Sequence, residues 1–244
     1  VTIRNNLASP AEAGSSQSVC SHQRVLDATA PLVGNGTWST TGSGTFSDVH
    51  APKATINNLD FDVNSLTWSV QTACGTNSET IVLDNESPYV AQVEDGFNVC
   101  VEEATITATA PEMGEGQWST VSDALITSES QTQTQVTNLA QGDNKFTWTV
   151  SSAYCGSETT DEIIVTNNAP DAANAGADES VCSSTYVLKA NNPDHGTGKW
   201  TSAEGAAFSN VNAYNAEVSL VPGDNNLTWT ITQGTCDPES DQVV

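Results

Sequence analysis

The stretch "PLVGNGTWST", Pro31 to Thr40, sets two glycines around an asparagine just ahead of a tryptophan. Such a loop either cradles a phosphate or turns a chain. It recurs as "PEMGEGQWST" from Pro111 and as "PDHGTGKWTS" from Pro193, each reading P-x-x-G-x-G-x-W. A phosphate loop follows a buried strand and opens a helix, whose N-terminus holds the anion. Here the glycines precede a strand-like "TWST", no helical period follows, and no lysine stands where a phosphate would need it. The stretch therefore reads as a strand-to-strand turn, with Gly34 and Gly36 supplying tight or positive-φ backbone.

The recurrence organises the whole chain. Trp38, Trp118 and Trp200 are 80 and 82 residues apart, and Cys20, Cys100 and Cys182 each stand 18 residues before them. A second tryptophan follows in "NSLTWSV", "NKFTWTV" and "NNLTWTI", at Trp68, Trp148 and Trp229. A second cysteine follows that, at Cys74, Cys155 and Cys236. These landmarks divide the chain into repeats at residues 10–87, 88–169 and 170–244. Residues 1–9 read as the end of a preceding repeat plus linker, because "VTIRNNLASP" resembles "IIVTNNAP". The final "ESDQVV" reads as a truncated last strand, so both ends are expected to be cut from a longer array.

Strand signals dominate each copy. Leu66, Trp68 and Val70 alternate with Thr67 and Ser69, and the same period of two holds in the other copies. Large apolar side chains on one face make a half-buried strand. Turn clusters break the chain at intervals near ten residues, which predicts an all-β antiparallel sandwich of about seven strands per copy. The alternation assigns the six tryptophans to the core rather than to sugar-stacking platforms. The less regular aromatics Phe61, Tyr89, Tyr154 and Tyr214 are the better candidates for exposed contacts.

Composition narrows the partners. The chain has 30 acidic and 6 basic residues, a formal charge of −24. That charge disfavours nucleic acid and anionic lipid, both of which need basic patches, and no direct membrane insertion is expected. It favours divalent cations. The junctions offer oxygen ligands: Asp84, Asn85 and Glu86 at the first, and Asn167, Asn168 and Asp171 at the second. Calcium stiffening of these joints is the one cofactor expectation. The cysteines suggest disulfides in an oxidising compartment, since no C-x-x-C occurs and histidine does not track them. Repetition selects one pairing among those that six cysteines allow, with each copy closing its own bridge: Cys20–Cys74, Cys100–Cys155 and Cys182–Cys236.

Three patterns carry a family resemblance: A-G-x-x-x-x-V-C, P-x-x-G-x-G-x-W, and G-x-N-x-[LF]-x-W-[ST]-[VI]-x-x-x-x-C. Together they cover nearly all of the chain, which resembles the PKD-like and Ig-like repeats of Bacteroidota cell-surface adhesins. Such repeats include those of SprB-like gliding-motility adhesins and other proteins exported by the type IX system. Copy one departs from the pattern where Asp62 replaces a glycine, and copy two lacks the A-G pair. The resemblance implies three tandem Ig-like/PKD-like β-sandwiches in an end-to-end array outside the cell, attached to the outer membrane through the parent protein. It implies a stalk or adhesive array rather than an enzyme. The partners would be neighbouring repeats and surface polysaccharide or another extracellular ligand. The alternative is a spacer or a set of carbohydrate-binding modules in a secreted polysaccharide-active protein. His22, His50 and His195 fall at unmatched positions, so no Ser–His–acid triad repeats with the modules. Lys53, Lys145, Lys189 and Lys199 do not align either, which argues against repeated isopeptide crosslinks.

Overall fold

A computed structural model describes residues 1–244. It contains strands and turns and no helix. The first sandwich holds β1 (Gln17–Val19), β2 (Gln23–Val25), β3 (Asn35–Thr40), β4 (Thr45–Phe46), β5 (Thr55–Asn57), β6 (Asp62–Thr72) and β7 (Gly75–Asn85). The second repeats this with β8 (Phe97–Val99), β9 (Glu103–Thr107), β10 (Glu115–Thr120), β11 (Leu125–Ile126), β12 (Gln133–Thr137), β13 (Gly142–Ser152) and β14 (Ser157–Asn167). The third has β15 (Thr185–Val187), β16 (Thr197–Ser202), β17 (Ala207–Phe208), β18 (Glu217–Ser219), β19 (Leu227–Thr232) and β20 (Glu239–Val243).

One sheet of the first sandwich runs β1-β7-β6-β3 and the other β2-β5-β4. All pairs are antiparallel except β1 with β7. A parallel first-to-last pair on one sheet, facing a three-stranded second sheet, is Ig-like connectivity. The second sandwich has the same two sheets, β10-β13-β14-β8 and β11-β12-β9. In the third, Glu179–Val181 occupies the place of β1 but forms no strand.

Each sandwich closes on its own apolar core. All six tryptophans are at most 2% exposed. They sit directly opposite each other across the ladder, Trp38 with Trp68, Trp118 with Trp148 and Trp200 with Trp229. Every pair has ring centroids 5.1 Å apart. The first indole of each pair donates its Nε1–H to a loop carbonyl: Trp38 to Pro52, Trp118 to Gln131, Trp200 to Ala213. The second indole leaves its buried N–H unpaired in all three copies.

The glycines of the opening stretch have separate duties. Gly34 adopts φ 109°, the left-handed turn expected of it. Gly36 has no such backbone; its role is space. A Cβ there would lie 2.0 Å from Cζ2 of Trp68, and the equivalent distances are 2.0 Å for Gly116 against Trp148 and 1.9 Å for Gly198 against Trp229. The second glycine is the bed on which the second indole lies. The departure at Asp62 keeps the turn geometry: Asp62 takes φ 64°, where its counterparts Gly142 and Gly223 take 85° and 101°.

Two predictions follow from this packing. Gly116→Ala forces a methyl into a buried indole and should destabilise the second sandwich by about 3 kcal/mol, the upper end of overpacking costs. Urea denaturation followed by tryptophan fluorescence measures it. Trp118→Phe should cost about 1 kcal/mol more than Trp148→Phe, because only the former strands a carbonyl partner.

Candidate functional site

The residues with the most distinctive arrangement lie at the two junctions. A backbone bond from Glu86 N to Val19 O, 2.9 Å, ties the departing chain to the first sandwich. Tyr89 N then donates to Met113 O, 2.9 Å, in the second. Only Ser87 and Pro88 lie between these clips. The second junction copies the first: Asn168 N bonds Val99 O at 2.8 Å, Asp171 N bonds His195 O at 3.0 Å, and Ala169 and Pro170 lie between. Met113 and His195 both belong to the P-x-x-G loop, as does Val33, whose carbonyl accepts from Ser9 N. The opening stretch thus captures the incoming chain. Proline fixes φ in a linker this short and removes much of its freedom.

The calcium candidates are engaged in this clipping. Asn85 is fully buried, and its Oδ1 accepts from the amide and hydroxyl of Ser87. Asn167 is 1% exposed, and its Oδ1 accepts from Ala169 N. These are Asx turns that bend the chain out of the last strand. Asp84 has one enclosed, unpaired oxygen, while Glu86 and Asn168 supply the backbone bonds already described. No group of three or more His, Cys, Asp or Glu side chains is gathered at either junction or elsewhere. Two of the amides expected as calcium ligands, Asn85 and Asn167, thus use their Oδ1 to hold the turn.

Asp171 serves the second junction as a carboxylate. It accepts from the amides of Asp194 (2.6 Å) and His195 (3.0 Å). Desolvation alone would raise its pKa, but these amides and the Gln141 and His195 side chains outweigh that and hold the carboxyl below its ordinary value. Gln141 also reaches across from the second sandwich to donate to Ala169 O at 3.0 Å. The first junction is aromatic instead: Phe61 packs against Tyr89 at 5.2 Å and against His22 at 4.7 Å. Two of the aromatics expected as exposed contacts are thus junction fillers. Tyr154 and Tyr214 are 62% and 39% exposed.

The disulfides differ from the expectation. The bridges Cys20–Cys74, Cys100–Cys155 and Cys182–Cys236 do not form. Cys20 pairs with Cys155, Cα–Cα 5.6 Å, and Cys100 pairs with Cys236, Cα–Cα 5.5 Å. Cys74 and Cys182 are free and exposed. The cause is the long hairpin. Cys74 sits in its tip, next to Gly75, where β7 begins; Cys20 follows Val19, which pairs with Asn85 where β7 ends. Eleven strand residues separate these poles by about 35 Å, whereas a disulfide needs Cα atoms within about 7 Å. The hairpin tip of each sandwich instead points back at the preceding one, so the first cysteine of one unit meets the second cysteine of the next.

No family model matches the chain, and no curated protein matches it by sequence. Solved structures similar to it are tandem immunoglobulin arrays. The I-band fragment I67–I69 of titin is 11% identical over 96% of this chain and 95% of its own, with a TM-score of 0.47. Domains of the Down syndrome cell adhesion molecule are 10% identical over 95% of this chain and 35% of theirs, TM-score 0.41. Sidekick-1 domains 1–4 are 14% identical over 98% of this chain and 74% of theirs, TM-score 0.38.

The pairing has a direct check. Non-reducing tryptic mapping should join peptide 5–24 to 146–189 and peptide 54–145 to 200–244; a link between 5–24 and 54–145 would restore bridges within units. The depressed pKa of Asp171 also fixes a sign. An acid with a lowered folded pKa stabilises the folded junction above its ordinary value, and loses that contribution as pH falls through the folded one. Asp171→Asn should therefore cost stability at neutral pH and cost less in acid, which urea denaturation at the two pH values measures.

Proposed function

We propose that this chain is a non-catalytic segment of a large extracellular adhesin of the SprB-like kind. It acts as a stalk or adhesive array in surface attachment and gliding motility, held at the outer membrane by its parent protein. The observation that carries this reading is the doubled junction. Neighbouring sandwiches are joined both by a two-residue linker with backbone bonds on either side and by a disulfide from pole to hairpin tip. A binding domain needs no such bracing. A spacer that must carry load does, because the bridge resists opening of the joint while the linker resists its extension. The motif resemblance, the charge of −24 and the oxidised cysteines fit an exported, soluble array. Its partners in this role are its neighbouring repeats and an extracellular ligand such as surface polysaccharide.

Small-angle scattering tests the stalk. Three sandwiches in line should give a maximum dimension on the order of 110 Å with a single rigid shape accounting for the curve. Replacing Cys20, Cys100, Cys155 and Cys236 by serine should broaden it into a bent ensemble. Wide bending with both bridges intact would sink the proposal.

A further inference from the structure

Two segments lie side by side along each sandwich: the incoming chain and the last strand. In the second sandwich residues 88–99 run beside β14. Thr159 Oγ1 donates to Tyr89 O at 2.7 Å and accepts from Ala91 N at 2.9 Å, and the Asp161 carboxylate accepts from Val93 N at 2.9 Å. β8 then pairs in parallel with the end of β14, Phe97 opposite Val165 and Val99 opposite Asn167. The first sandwich sets Ala13 N on the Glu79 carboxylate and β1 parallel to β7. The third sets Ala175 N on the Asp241 carboxylate at 2.7 Å. Both segments run the same way, from the pole that carries the hairpin tip to the opposite pole.

The bridges join these segments end to end. Cys20 directly follows β1 and is bonded to Cys155, two residues before β14. One covalent line therefore runs through residues 10–20, across the disulfide, through β14 and the second linker, and into residues 170–181. Cys100 directly follows β8 and is bonded to Cys236, three residues before β20. A second line therefore runs through β7, the first linker and residues 88–100, across the disulfide, and into β20. At each joint the two lines exchange places: an incoming segment on one side continues as a last strand on the other.

We infer that these two lines make the rod all but inextensible. Tension passes from sandwich to sandwich through covalent bonds of chain that is already extended. Without the bridges, tension enters the second sandwich at Tyr89 and leaves at Asn167, and it must cross the bonds between β8 and β14. Those bonds are individually weak. From residue 10 to residue 180 the bridged line spans 35 peptide bonds, where the backbone alone spans 170. At about 3.5 Å per residue the first limit is about 130 Å and the second about 600 Å. The folded rod already needs on the order of 110 Å, so almost no slack is left. The use of such a device rests on the stalk reading; its mechanics rest on strand connectivity alone.

Optical-trap pulling tests it on the whole chain, with both bridges verified by non-reducing mapping. Handles are attached through azide-bearing residues placed at positions 10 and 180, where Pro10 and Ser180 are exposed. The bridged chain should lengthen smoothly and stop at about 130 Å, and the same chain after reduction should unfold in steps to about 600 Å. Moving the second handle to position 244 places it on the other line. The bridged chain must then be pulled apart between lines, and should unfold in steps to about 260 Å under the same loads. Unfolding steps in the bridged chain held at 10 and 180 would overturn the inference, as would identical traces for the two handle placements. A rod that bends in scattering yet gives the expected traces would remove the stalk reading and uphold the two lines.

Discussion

A hairpin that runs the full length of the first two sandwiches is the constraint on which the array depends. Its two strands, β6 and β7 in the first unit, are eleven residues each, about twice the usual strand. The tip therefore projects at the pole facing the previous unit, while the end of β7 emerges at the pole facing the next. Everything that joins units uses one of these two places. The Asx turn and the linker start at the strand end. The cysteine that receives a neighbour's bridge rides on the tip. A shorter hairpin would keep the core and lose both connections.

The tryptophan pair registers the neighbouring strand on this hairpin. Two indoles in direct cross-strand opposition fix β3 against β6 to the residue, because a slip of β3 by one would turn Trp38 to solvent. The glycine beneath the second ring makes this possible at normal sheet spacing, since a methyl there would occupy the ring's own volume. The stretch that begins at Pro31 thus performs three tasks within ten residues. Its first glycine turns, its second accepts an indole, and the Val33 carbonyl just ahead of them anchors the incoming chain.

The core was legible in the sequence because its signal is local. Leu66, Trp68 and Val70 alternate with Thr67 and Ser69 in a period that only a strand satisfies, and the repeat multiplies that signal threefold. The cysteine pairing was not legible, for a physical reason. A repeat states that Cys20 and Cys74 occupy constant places, but not which pole each occupies, and pairing within a unit or between units produces the same periodicity. The missing datum was the length of the hairpin. "ETIVL" marks only the apolar half of β7, while Gly75 to Ser78 are polar and exposed and read as loop. The same gap hid the junctions. Asn85 and Asn167 look like cation ligands when only their chemistry is considered; their burial shows that they bond their own linker.

Bridging between units changes how the array responds to unfolding. Each bridge closes a loop of about 135 residues, which in the chain-entropy picture removes about 5 kcal/mol of freedom from the unfolded chain. The two loops overlap from Cys100 to Cys155, so β9 to β13 of the second sandwich lie inside both. Bridges within units would stabilise three independent sandwiches and leave every joint as a single strand of backbone. Staggered bridges make each unit's unfolded state depend on its neighbours and convert nearest-neighbour stacking, the usual coupling in repeat proteins, into a covalent one. The second sandwich is then held at both poles by a covalent bond as well as by its linkers.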